Sequence, residues 1–491
     1  MNLQCLIQRV STSLFGLFLL VFPSFAKAHA FGRTYSLPVP VWLYMYGTVA
    51  ALLLSVIVCA LVVTADKSSQ PQAALKVKTI HRMTRFLMWG SASLMVFAIL
   101  TGFVGIRNAY FNFNMTFFWI ICFLGLFYLS AMFGNFFRLI NPWENVIRIL
   151  QLRNPSAFKG RRAYPQAWGL YPALALYVVL IWIELFGGTN PWSLSWVLLA
   201  YTGLNLMAAW WWGRESWFSQ GEVFNVLFGF AARISPWSFK RLDDTSSSPI
   251  QIQKSGWCHA LLDQPVTHVS VLMLVLFMLS STAFDGLKET VIWKEVFWGN
   301  IYPWLAPQLG DNTIVLYSLF KTLEMVFDST VMGLSMFVYL SLYWVCIASI
   351  RWITGSELST KQLALRFALS LVPIAFVYNV AHYYTLLFTQ GVHMPRLIID
   401  PFGWGWNPFD VKSILPKPIF LDGGWIWHSQ VGVIVIGHIV SVYLAHVEAT
   451  KIFKTRKQAL LSQIPMLILM IFLTSMGLWI MAQPMSAGGR F

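Results

Sequence analysis

The sequence predicts an all-α fold, a polytopic membrane helix bundle of about ten transmembrane helices after a signal peptide. Three observations predict it. Of 491 residues, 57% are hydrophobic and only 11% charged, against roughly a quarter charged in an ordinary soluble domain. Apolar runs of about 20 residues, the length that crosses a bilayer core, recur along the chain. The 34 lysines and arginines lie between those runs, so the formal charge of +15 describes topology. No basic stripe interleaved with aromatics is present, and no nucleic-acid partner is expected. The five cysteines form no CxxC pair, which excludes a zinc ribbon and a disulfide framework.

The elements follow in order. Residues 1–28 read as a signal peptide, with Arg9, an apolar stretch from Leu14 to Phe22, Pro23, and the small-x-small site Ala26-Lys27-Ala28. Cleavage there leaves His29 as the new N-terminus; a second site, Ala28-His29-Ala30, leaves Phe31. Residues 29–491 form one integral membrane helical domain. Its spans are expected at 40–64, 85–106, 112–135, 168–187, 191–212, 266–285, 326–350, 364–389, 428–448 and 460–482. A start outside puts 23 lysines and arginines in the inner segments and 9 in the outer ones, the bias of the positive-inside rule. The leader and the charge bias thus give one orientation, with residues 29–39 outside the cytoplasm.

Three connections are long enough for structure of their own. Inside, 221–234 reads as an interfacial helix. Outside, 286–325 and 390–427 are expected as cap segments. Residues 316–327 of the first suggest a re-entrant or interfacial helix, and the second is rich in Pro, Gly and Trp. No internal repeat is evident.

Ionisable groups within spans are costly and mark candidate functional positions. Glu184, Asp285, Glu324, Asp328, His382, His428 and His438 all fall in the outer half or the middle, whereas His81, His259, His268 and His446 fall in or near inner loops. Carboxylates and imidazoles projecting from facing helices suit a divalent metal, which is expected as cofactor. The metal-ligand candidates are Asp285, Asp328, His382 and His438, with Glu324 as a base and Asp285, His382 and His438 in catalytic roles. Glu324 and Asp328, four apart, share a helical face. His428, His438 and His446 turn about 80° from one to the next, so all three cannot face one point, and His438 is favoured. Asp285-Gly286 also reads as a helix end with a glycine cap, though a carboxylate has the wrong sign for that end of the dipole. His29 as a free terminus offers an α-amine and a ring nitrogen, a pair suited to copper. His393 is a weaker outer-loop candidate.

The segment His29-Ala30-Phe31-Gly32-Arg33-Thr34-Tyr35-Ser36-Leu37-Pro38-Val39-Pro40 resembles the opening of the bacterial integral membrane fenitrothion hydrolases. Thr282-Ala283-Phe284-Asp285-Gly286-Leu287, Ala381-His382-Tyr383, Gly437-His438 and Leu444-Ala445-His446 are similar to that family's later landmarks. The resemblance implies a membrane-embedded organophosphorus hydrolase that cleaves the aryl ester bond of organophosphorothioate triesters such as fenitrothion. It transfers no catalytic assignment. A metal that polarises the phosphoryl group and lowers the pKa of bound water would suit that chemistry. The partners expected are a lipophilic small molecule and membrane lipid, with the active site in the periplasmic half. The competing classes are a transporter of a metal ion or small solute, and a copper or haem redox protein with His382 and His438 as axial ligands.

Overall fold

A computed structural model describes residues 40–62, 81–241, 250–263, 266–309 and 313–483; the leader and His29 lie outside them. The chain is an all-α polytopic bundle, and eight of its helices are long and apolar enough to cross a membrane. The helices that build it are α1 (Val41–Val62), α2 (His81–Val104), α3 (Phe113–Phe133), α4 (Pro142–Arg153), α5 (Tyr171–Phe186), α6 (Pro191–Trp212), α7 (Arg214–Gln220), α8 (Val223–Ala232), α9 (Val269–Lys288), α10 (Thr313–Thr354), α11 (Thr360–Phe367), α12 (Val372–Thr389), α13 (Gly423–Ile452) and α14 (Arg456–Ala482). An antiparallel hairpin, β1 (Trp237–Arg241) and β2 (Ile250–Lys254), pairs Trp237 with Lys254 and Arg241 with Ile250.

All ten expected spans are helical, but two depart from an ordinary crossing. Helix α5 has only 16 residues, about 24 Å at 1.5 Å per residue and short of the roughly 30 Å core. Helix α6 has 22 residues but is rich in tryptophan, and it falls below the hydropathy of the eight.

Local chemistry sets the helix ends. Asn141 caps α4 by accepting from the Trp143 and Glu144 amides at 3.0 and 3.1 Å, with Pro142 in the first turn. Asn190 and Ser193 form a capping box on α6. A 3₁₀ turn, Ala368–Leu371, separates α11 from α12, and Pro373 enters the first turn of α12, where its missing N–H costs nothing. Helix α3 contains a π-helical stretch, Thr116–Gly125, that packs on α12.

Helix α9 is the most enclosed span. From Leu272 to Gly286 nearly every side chain is buried, because α5, α10, α12 and α14 surround it. Two expectations are corrected. The stretch 221–234 is not interfacial: Phe224, Leu227, Phe228 and Phe230 of α8 are all buried, so the helix is apolar all round and sits within the bundle. Residues 316–327 are not a separate helix, because they continue into the 42-residue α10, which at about 63 Å extends well past a bilayer core.

The segments 286–325 and 390–427 lie at the end reached by the C-termini of α9 and α12, called here the cap end. In the second, Asp400 accepts from the Trp404 and Gly405 amides at 2.9 and 2.8 Å. Phe402 stacks on Trp404, and backbone bonds from Ile106 and Phe113 to Phe402 and Pro401 tie the segment to the bundle. The opposite, basic end carries the arginine- and lysine-rich connections.

Candidate functional site

Asp285 and His382 are 97 residues apart in sequence, yet His382 Nε2 lies 2.5 Å from Asp285 Oδ2. The same carboxylate oxygen accepts a hydrogen bond from the Tyr383 hydroxyl at 2.8 Å. Consecutive residues on α12 point about 100° apart, so α9 must cross over the seam between them for one oxygen to meet both. Gly286 lies against α14, where a Cβ would stand a tight 3.2 Å from Ile480 Cγ2, while His382 Cε1 at 3.7 Å would be in ordinary contact. It is not a cap, since α9 continues to Lys288. The imidazole and phenol rings meet edge-on at 4.5 Å.

The polar cluster reaches further into the bundle. Glu184 on α5 stands within electrostatic range of the Tyr128, Tyr177 and Tyr383 hydroxyls, and Tyr177 pairs with Ser281. One turn deeper than the dyad, Thr282, Asn379 and Tyr177 line a small cavity of about 10 Å3, room for the centre of roughly one water. Asn379 Oδ1 is buried there without a hydrogen-bond partner among the described residues.

Helix α8 separates this small cavity, to which it contributes Leu227, from a vestibule of about 1050 Å3 at the basic end, which Val226, Gly229 and Phe230 of the same helix line. The buried helix therefore stands between the polar cluster and the open end.

The other expected site residues have different partners. Glu324 and Asp328 share a face of α10, but Glu324 is held by Lys294 and Lys321, each at 2.9 Å, and Asp328 accepts from Trp293 Nε1 at 2.8 Å. Two lysines on one carboxylate leave Glu324 poorly placed to act as a base. His438 is fully buried, its Nδ1 bound to the Ile434 carbonyl of its own helix at 2.8 Å, and its Nε2 has no partner among the described residues. His428 bonds Tyr44 and the Gly424 carbonyl. Among the described residues no group of three or more His, Cys, Asp and Glu side chains could hold a metal ion. Of the expected set, Asp285 and His382 meet each other, whereas Asp328 and His438 are held by other partners, so the four do not gather at one point.

Sequence reasoning missed four buried ionic groups. Arg148 pairs with Glu144 at 2.5 Å, and Arg214 Nε lies 3.7 Å from the same carboxylate. Glu222 caps α8, accepting from the Phe224 and Asn225 amides at 3.1 and 2.8 Å, from Asn141 Nδ2 at 3.0 Å, and from the Tyr201 hydroxyl. All four lie in segments read as inner loops, where charge is ordinary. The one available signal is the position of Glu222 just before an apolar run. His446, also assigned to loop territory, is 3% exposed within α13.

No protein-family model, curated protein or solved structure matches the chain, so the geometry of the cluster carries the functional reading.

Proposed function

We propose that the protein is a proton-linked membrane transporter in which Asp285 and His382 exchange the coupling proton. The observation that carries this reading is the cluster of buried Asp285 and Tyr383 with half-buried His382, set one turn above a cavity that α8 divides from the basic-end vestibule. An ionisable pair inside a bundle costs several kcal/mol of desolvation, which apolar packing would avoid. Taking up or losing a proton changes the charge of the pair by one unit. In a low-dielectric setting that change is large enough to alter how α9 and α12 pack. Short or non-α helices inside a bundle, here the ten-residue α8 and the π-helical stretch of α3, are a recurring means of building such pathways. By charge bias, the basic end faces the cytoplasm and the cap end the periplasm of an inner membrane.

A hydrolase remains the second reading, favoured by the unequal exposure of the dyad. The His382 side chain is 15% exposed and that of Asp285 7%, the arrangement of a carboxylate that orients an imidazole base. Such a base would take a proton from water attacking a lipophilic phosphotriester.

Purified protein in proteoliposomes separates the two. Proton flux driven by an imposed gradient, without release of nitrophenol from fenitrothion, is the expected result. Nitrophenol release with no flux would overturn transport and establish the hydrolase.

A further inference from the structure

The vestibule at the basic end has a chemistry separate from the dyad. Two cations line it: Arg233, just past the end of α8, and Lys254, at the end of β2. Each lies against an aromatic face, Arg233 over Phe230 at 5.3 Å and Lys254 over Trp237 at 5.2 Å. Among the described residues, neither has a carboxylate within ion-pair distance. Asp263, the carboxylate that lines the vestibule, is bonded to His259 at 2.8 Å and attracts Arg233 from beyond ion-pair distance, so two cations face one carboxylate there. Arg233 is exposed by area yet crowded by surrounding protein, the condition of a side chain facing a concavity. A positively charged concavity with aromatic walls concentrates anions, and its low-dielectric sides strengthen the attraction. Its volume of about 1050 Å3 far exceeds the space a bare inorganic ion would fill.

We infer that this vestibule is an anion site for an organic phosphate, the phosphate held by Arg233 and Lys254 and the apolar part lying along the half-buried Trp237 side. The inference deepens the transport reading by naming a substrate class, and its binding test does not depend on flux.

The probes are 1-naphthyl phosphate and inorganic phosphate, titrated calorimetrically into the full-length protein in phosphatidylcholine nanodiscs. Naphthyl phosphate should bind more tightly than inorganic phosphate. Arg233→Gln and Lys254→Gln should each weaken it about tenfold, the scale of one charge-assisted contact. Arg233→Lys should retain most of the affinity, and Arg161→Gln, whose guanidinium lies over Trp210 elsewhere, should match the wild type. Nanodiscs containing phosphatidylglycerol identify the source. If that lipid weakens naphthyl phosphate binding to the wild type but not to Arg233→Gln, the phosphate is a lipid headgroup's; equal binding in both lipids assigns a soluble ester. Equal affinity in wild type, Arg233→Gln and Lys254→Gln, with all three monodisperse, would overturn the site whatever the flux. Binding without flux would instead count against transport alone.

Discussion

Replacing Asp285 by Asn tests the proposed coupling site with little change of shape. In the wild type one carboxylate oxygen meets His382 at 2.5 Å and accepts from Tyr383 at 2.8 Å. Hydrogen bonds to a charged group contribute about 1.5–3 kcal/mol each, and neutral ones about 0.5–1.5. Asparagine keeps an oxygen near the same place but removes its charge, so each contact loses about 1–1.5 kcal/mol and the pair about 2–3. At about 1.4 kcal/mol per factor of ten, proton-coupled flux should fall roughly 30- to 150-fold. The assay is acidification of pyranine-loaded proteoliposomes across a range of external pH, with Asp410→Asn as the control. Asp410 is exposed in the cap segment and bonds Asn407. The D285N protein should insert and remain monodisperse, because the apolar spans are untouched. Wild-type flux with an unchanged pH profile in folded D285N would refute the assignment of the coupling proton to this pair.

Other parts of the bundle give further expectations. Arg148→Ala leaves Glu144 buried with only the more distant Arg214; a loss of about 3 kcal/mol is expected, near the low end for a broken buried pair, read as a lower melting temperature in detergent. Gly437→Ala would place a Cβ 2.3 Å from Val377 Cγ2 where α13 packs on α12, costing about 1–3 kcal/mol; a melting temperature equal to wild type would show that the contact relaxes freely. The Cys258 thiol is 6% exposed and burial pushes its pKa up to about 12. Since the thiolate is the reactive form, this cysteine should resist maleimide at pH 8 and react once the protein is denatured. Against that background, cysteine at exposed Lys417 should label in intact cells and cysteine at Glu357 only after permeabilisation; the reverse pattern would invert the orientation.

Composition and period carry much of this architecture. Residues such as those of α13 and α14 have one low-energy solution in lipid, a helix that satisfies its own backbone, and the sequence alone therefore identifies the spans and the connections between them. It also places Asp285 and His382 toward the same end of the bundle, since depth follows from counting residues along a span. What the sequence could not supply is rotation and neighbourhood. Whether Asp285 meets His382, or Glu324 meets Lys294 and Lys321 rather than a ligand partner, depends on which helices pack together and how each is turned. That is decided by packing over long separations, to which local periodicity is blind. The same holds for α8. Its apolar run is equally consistent with a membrane surface and a bundle interior, and only the helices around it decide that Phe224 and Phe228 are buried. The ionic groups of Glu144, Arg148 and Arg214 look like ordinary loop charges until α4 and α7 bring them together out of water. Sequence determines which segments must leave water; tertiary packing decides which polar groups leave with them, because a buried charge is tolerated only where a distant segment supplies its partner.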